Sequence, residues 1–143
     1  MKRTLVFSIL LFLALLGCKS PRYSFDELPD KQLVFGKGGG MAGMVDTYIL
    51  LENGQLFHHN SVTELTEELQ PLSKKEASAY FMGIDELGLS EIDFYHPGNS
   101  YYFLEEVNEN QRHRIVWGSK DHKLSKDCLE FYTELKATIN NRP

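Results

Sequence analysis

Twelve consecutive positions near the N-terminus, Leu5 to Leu16, are apolar except for Ser8, and they follow the cationic start Lys2-Arg3. As a helix, such a run rises only ~18 Å, short of the ~30 Å hydrocarbon core of a bilayer. A brief positive start, an apolar run of this length and a small residue at its end describe a secretory signal. Residues 1–17 are therefore expected to be removed and to take no part in the fold. The remaining chain has room for one domain.

The run closes on Leu15-Leu16-Gly17-Cys18, which resembles the lipobox of bacterial prolipoproteins. Membership of that family implies a diacylglyceryl group on the Cys18 sulfur, cleavage between Gly17 and Cys18, and acylation of the new amine. The residue types suit the chemistry, because a thiolate is the nucleophile and small Gly17 lets a peptidase reach the bond. Two or three acyl chains, at ~0.8 kcal/mol per buried methylene, hold a protein to a membrane far better than one. In the enteric branch of the family an Asp after the cysteine retains the protein in the inner membrane. Lys19-Ser20 at these positions implies the outer membrane, with periplasmic or surface orientation left open.

This assignment constrains the rest of the fold. Cys18 and Cys128 are the only cysteines, and lipidation of the first removes the prospect of a disulfide. The formal net charge of −5 becomes −7 once Lys2 and Arg3 leave with the signal. An acidic domain does not suit nucleic acid, which is bound by neutralising phosphates, and does not adhere electrostatically to anionic lipid. The expected partners are the membrane, through Cys18, and an envelope protein or peptide.

Residues 18–31 carry two prolines, many charges and no periodicity, and read as the lipidated N-terminus and a tether. The folded domain is placed at 32–143. Leu33-Val34-Phe35 predicts a first strand that enters the run Gly36-Lys37-Gly38-Gly39-Gly40-Met41-Ala42-Gly43, and Val45 to Glu52 a second. Asn53-Gly54 predicts a two-residue hairpin turn into a third strand, Gln55 to Asn60. That turn would set Leu51 opposite Leu56 and Leu50 opposite Phe57. Val45, Thr47, Ile49, Leu51 and Leu56 would then share the core face.

Ser73 with Glu76 forms a capping-box pattern. Ala77, Tyr80, Phe81, Ile84 and Leu87 follow at helical spacing, with Gly88 as the stop. Tyr101 to Val107 and Arg112 to Trp117 predict a second hairpin, with Glu105 facing Arg114 as a surface ion pair. Ser125 opens a last helix with the apolar stripe Cys128, Phe131, Tyr132, Leu135 and Ile139. The expected class is α+β: a mostly antiparallel sheet of about five strands, order βββαββα, with two helices on one face.

Gly38, Gly40 and Gly43 satisfy G-x-G-x-x-G, but that fingerprint needs a helix N-terminus to receive a pyrophosphate, and a strand follows. No kinase or Walker signature accompanies the run. Two readings stay open: a tightly turned connection, or a glycine nest in which Gly38, Gly39, Gly40 and Gly43 receive an anion or a partner's backbone. His58 and His59 are strand neighbours that point to opposite faces and cannot chelate one ion together. No metal, cofactor or catalytic residue is assigned, and Cys128 on an apolar helix face reads as buried and inert. Tyr102, Leu104, Ile115 and Trp117 share a core face. Tyr101 and Phe103 lie opposite, either packed or as a recognition surface.

The features Phe35-Gly36-x-Gly38-Gly39-Gly40, Tyr48-x-Leu50-x-x-Asn53-Gly54, His96-Pro97-Gly98-Asn99 before Tyr101-Tyr102-Phe103, and Trp117-Gly118 resemble small bacterial envelope lipoproteins of uncharacterised function. The resemblance spans most of residues 32–140 and implies no particular activity. The expected function is a lipid-anchored binding or accessory module of the cell envelope. The alternative is a small envelope enzyme with a site near the Gly36–Gly43 loop.

Overall fold

The structure is a computed structural model that describes residues 21–140; Gly17, Cys18 and the signal lie outside the described residues. Along the chain run β1 (Gln32–Gly39), β2 (Met44–Leu51), β3 (Leu56–Asn60), β4 (Thr66–Leu69), α1 (Lys74–Leu87), β5 (Tyr95–His96), β6 (Ser100–Asn108), β7 (Gln111–Trp117) and α2 (Lys126–Asn140). The class is α+β, with one seven-stranded sheet in the order β4-β3-β2-β1-β6-β7-β5. Every pairing is antiparallel except that of β5 with β7.

The two strands beyond the expected five are the sheet edges. β4 reads Thr-Glu-Glu-Leu, with its two central residues exposed, and so carries no apolar alternation. β5 is two residues long. Charged or very short edges protect a sheet from pairing with other chains, at the expense of a legible pattern. β1 also continues through Gly36, Gly38 and Gly39, beyond its apolar start.

The first hairpin turns in three residues, not two. The Leu51 amide donates to the Gln55 carbonyl, the Gly54 amide donates to the Leu51 carbonyl, and Gly54 has φ +93°. This is a type I turn closed by a left-handed residue. The observed pairs are therefore Leu50 with Leu56 and Ile49 with Phe57, one place from the expected register. A one-residue slip moves side chains to the other face. Leu56 accordingly joins Leu33, Phe35 and Leu50 beneath the helices, while Ile49 and Leu51 point the other way.

Both helices pack on that first face. Ala77, Phe81 and Ile84 of α1 and Cys128, Tyr132, Leu135 and Ile139 of α2 are buried there. The capping box forms: the Ser73 amide donates to Glu76 Oε2 at 2.8 Å, and the Glu76 amide to Ser73 Oγ at 3.2 Å. Gly88 closes the helix at φ +61°. Ser73→Ala is expected to lower stability by about 1 kcal/mol in denaturant titration. A change within error would show that α1 is held by packing alone.

The second face is also apolar, with Val34, Ile49, Leu51, Phe57, Phe103, Val107 and Val116 buried on it. The stretch expected as a tether packs onto the domain: Tyr23 and Leu28 lie on this cluster, and the Phe25 ring lies 6.1 Å from that of Phe57. Buried Gln55 accepts from the Tyr23 amide and donates to the Tyr23 carbonyl, at 2.8 and 3.1 Å. Asn53 Nδ2 donates to the Pro21 carbonyl at 2.7 Å. Phe103 is 1% exposed and Tyr101 half-buried, so these rings are packed and form no open recognition surface.

Glu105 differs as well. It pairs with Arg114 in the expected register but is 2% exposed, with both Arg112 and Arg114 bound to its carboxylate. Its side chain shares the apolar second face with Phe103 and Val107, and that position buries the carboxylate while both arginines stay partly exposed.

Among the described residues no helix is long and apolar enough to cross a membrane.

Candidate functional site

Strand register sets a polar row across the helix face of the sheet, near the β1–β2 turn. Lys37 of β1 stands between Asp46 of β2 and Tyr102 of β6. Asn60 extends the row beyond Asp46, and Trp117 beyond Tyr102. The next row inward holds His58, Tyr48 and Phe35. α2 crosses above, presenting Tyr132 and, one turn later, Lys136 on the same side. A cleft of ≈ 480 Å³ remains between them, lined by Lys37, Asp46, Tyr48, Tyr102, Tyr132 and Lys136.

Tyr132 forms the floor. Its hydroxyl donates to the Gly36 carbonyl at 2.9 Å, and its ring meets those of Phe35, Tyr102 and Trp117 at 4.9–6.4 Å between centroids. Burial, followed by the nearby phenols Tyr102 and Tyr48, drives its hydroxyl well above the ordinary tyrosine range, so it stays protonated. Tyr48 is sandwiched: His58 stacks on it at 4.7 Å, Phe35 at 5.5 Å, and Lys136 Nζ sits 3.8 Å from its centroid. Its phenol is also shifted up, first by burial and then by Asp46 and Glu67.

The charges are unequally satisfied. Asp46, 8% exposed, accepts from Asn60 Nδ2 at 3.0 Å, meets His58 Nε2 at 3.2 Å and lies 3.9 Å from Lys37 Nζ. His58 Nδ1 reaches Glu67 at 3.2 Å, so both of its nitrogens are engaged by carboxylates. Among the described residues, Lys136 rests on the Tyr48 ring and meets no carboxylate. Burial lowers its pKa, repulsion from Lys37 lowers it further, and Asp46 only partly opposes this.

The glycines of the expected loop divide between two roles. Gly38 and Gly39 line a hollow of ≈ 260 Å³ that shares Lys37, Asp46 and Tyr102 with the cleft. Gly40 and Gly43, at φ +76° and +60°, make the turn itself. The Gly40 amide donates to the Asn99 carbonyl at 2.8 Å and the Gly43 amide to the Gly40 carbonyl at 3.2 Å, so these two N–H groups already have acceptors. Gly38 lies under the Tyr101 ring, where an added Cβ would come within 2.5 Å of the hydroxyl.

His58 and His59 do face opposite ways: His59 Nδ1 meets Thr66 Oγ1 at 2.9 Å and its ring stacks on Phe25. Among the described residues, no group of three His, Cys, Asp or Glu side chains is placed to hold a metal ion. Cys128 is buried.

Asp46 and Tyr48 are not legible as site residues in the sequence, because alternation along β2 puts Val45, Thr47, Ile49 and Leu51 on the expected core face and these two opposite; Lys136 of α2 is not among the apolar residues that the stripe singles out. A signal was present. Lys136 lies four residues after Tyr132, inside the apolar stripe of α2, where a cation is out of place.

Comparison of the chain with protein-family models and with curated proteins gives no match.

Proposed function

We propose that this chain is a lipid-anchored protein of the bacterial cell envelope, in the outer membrane, that binds an envelope component in the cleft between α2 and the sheet. The observation that carries this reading is the placement of the cleft relative to the chain's entry. Pro21 enters at Asn53, the end of the sheet where β2 finishes. The cleft lies towards the start of β2, and the eight residues of that strand span ~23 Å at ~3.3 Å per step. With Tyr23, Phe25 and Leu28 packed on the domain, only residues 18–20 separate the acylated cysteine from it, a reach of ~10 Å. The Asn53 end then stands close to the lipid and the cleft faces away from it. Binding is favoured over catalysis because the imidazole and carboxylates nearest the cleft are bound to one another, whereas Lys136 and the exposed ring of Tyr102 are presented to it.

Metabolic labelling with a fatty acid tests the anchor: wild type should take up label and Cys18→Ala should not, and equal labelling of the two would discard it. For the cleft, Tyr102→Ala is expected to abolish recovery of the envelope component that co-purifies with the detergent-solubilised wild type. Recovery of the wild-type chain alone, under conditions that preserve other envelope complexes, would remove the binding reading.

A further inference from the structure

A half-buried ammonium without a carboxylate is costly unless something compensates it. Among the described residues Lys136 has the Tyr48 ring, and no carboxylate lies within ion-pairing distance of it. Lys37 faces the same cleft, and the one carboxylate among its described lining residues, Asp46, is already divided among Lys37, His58 and Asn60. Two ammoniums against one shared carboxylate give this described lining a positive surplus inside an otherwise acidic protein. An oxyanion placed there would gain charge-assisted bonds from both lysines and relieve their mutual repulsion. Tyr102, stacked on Trp117 yet still partly exposed, offers a ring face to whatever carries the anion. The volume, ≈ 480 Å³, falls in the range of small-ligand sites.

Resting on the cleft as the ligand seat, we infer that it takes a small ligand with a single oxyanion, a carboxylate or a phosphate, held between Lys136 and Lys37 with its body against Tyr102. Polyanions are disfavoured by the surrounding negative charge, and anionic lipid headgroups by the position of the cleft at the end of the sheet away from Pro21.

Calorimetry on the full chain in non-ionic detergent at low salt tests this, with benzoate, phenyl phosphate and neutral benzyl alcohol as probes. Saturable binding of at least one anion is expected, about tenfold or more tighter than benzyl alcohol. Lys136→Met should weaken it about tenfold and Lys37→Met several-fold, with unfolding curves close to wild type. Tighter benzoate assigns a carboxylate, and tighter phenyl phosphate a phosphate. Benzyl alcohol binding as well as the anions, Lys136→Met binding as well as wild type, or no saturation by either anion at millimolar concentration would each overturn the oxyanion assignment. If the wild type still recovers its envelope component in a Tyr102-dependent manner, such a failure leaves the binding module standing.

Discussion

Replacing Gly36 with alanine is expected to cost at least about 4 kcal/mol and to leave little folded protein, a larger loss than most single substitutions cause. Gly36 lies in β1, between β2 and β6. An added Cβ would stand 2.0 Å from the Asp46 carbonyl oxygen and 2.8 Å from Phe103 Cζ. The Phe103 ring could turn only into a packed second face, and the Asp46 carbonyl belongs to the β2 backbone, so relief requires two central strands to separate. The Gly36 carbonyl also receives the Tyr132 hydroxyl, which couples the strain to the floor of the cleft. Gly40→Ala is the matched control. It has nothing within 4 Å of the new Cβ, but φ is +76°, so it should lose only about 1–2 kcal/mol for left-handed backbone. Thermal or urea unfolding of both variants settles the matter; if Gly36→Ala melts like Gly40→Ala, the close approach of strands has been overstated.

The second large effect concerns Glu105. Its carboxylate is 2% exposed, while the side chains of Arg112 and Arg114 are 63% and 44% exposed. Loss of either arginine leaves the other in place, so Arg112→Ala and Arg114→Ala should each cost about 1 kcal/mol. Arg114 also covers the Phe103 ring, 4.5 Å from its centroid, and its removal should be the costlier of the two. Loss of both strands a charge among apolar side chains, at about 3–5 kcal/mol. The double variant should therefore exceed the sum of the singles by more than about 1 kcal/mol in a double-mutant cycle. Additive singles would mean that water reaches Glu105.

Local rules of the chain foretold much of this architecture. The capping box at Ser73 and Glu76, the stop at Gly88 and the stripe from Cys128 to Ile139 involve residues within one or two helical turns of each other, so short-range chemistry suffices to read them. The β6–β7 register was legible for the same reason: Asn108 pairs with Gln111 across a two-residue turn, as expected. The β2–β3 register was not. Asn53-Gly54 is compatible with two turn lengths, and the choice was made by contacts distant in sequence. Asn53 holds the Pro21 carbonyl, and the Gly54 carbonyl accepts from the Leu72 amide at 2.9 Å.

The choice of face concealed the site. Both faces of β2 are apolar, so alternation does not say which one meets the helices, and Asp46 and Tyr48, expected to point away from the core, lie beneath α2. Lys37, Tyr102 and Lys136 are separated by tens of residues and meet only because β1 is central and α2 folds back across it. The glycine run looks like a loop in the sequence although half of it is strand, because the need for small residues comes from distant groups, the Asp46 carbonyl and Phe103 ring at Gly36 and the Tyr101 ring at Gly38, rather than from neighbours in the chain.

The sequence by itself determined the α+β class, the two helices with their caps and apolar faces, and the expectation of an export signal ending at Cys18, because each rests on residue type and short spacing. Only the tertiary structure decided that Tyr23, Phe25 and Leu28 pack on the second face, that the Glu105 carboxylate is buried between two arginines, and that Lys37 and Lys136 share a cleft. Those outcomes follow from which strand face meets which neighbour, and a period-two pattern apolar on both faces leaves that choice to packing.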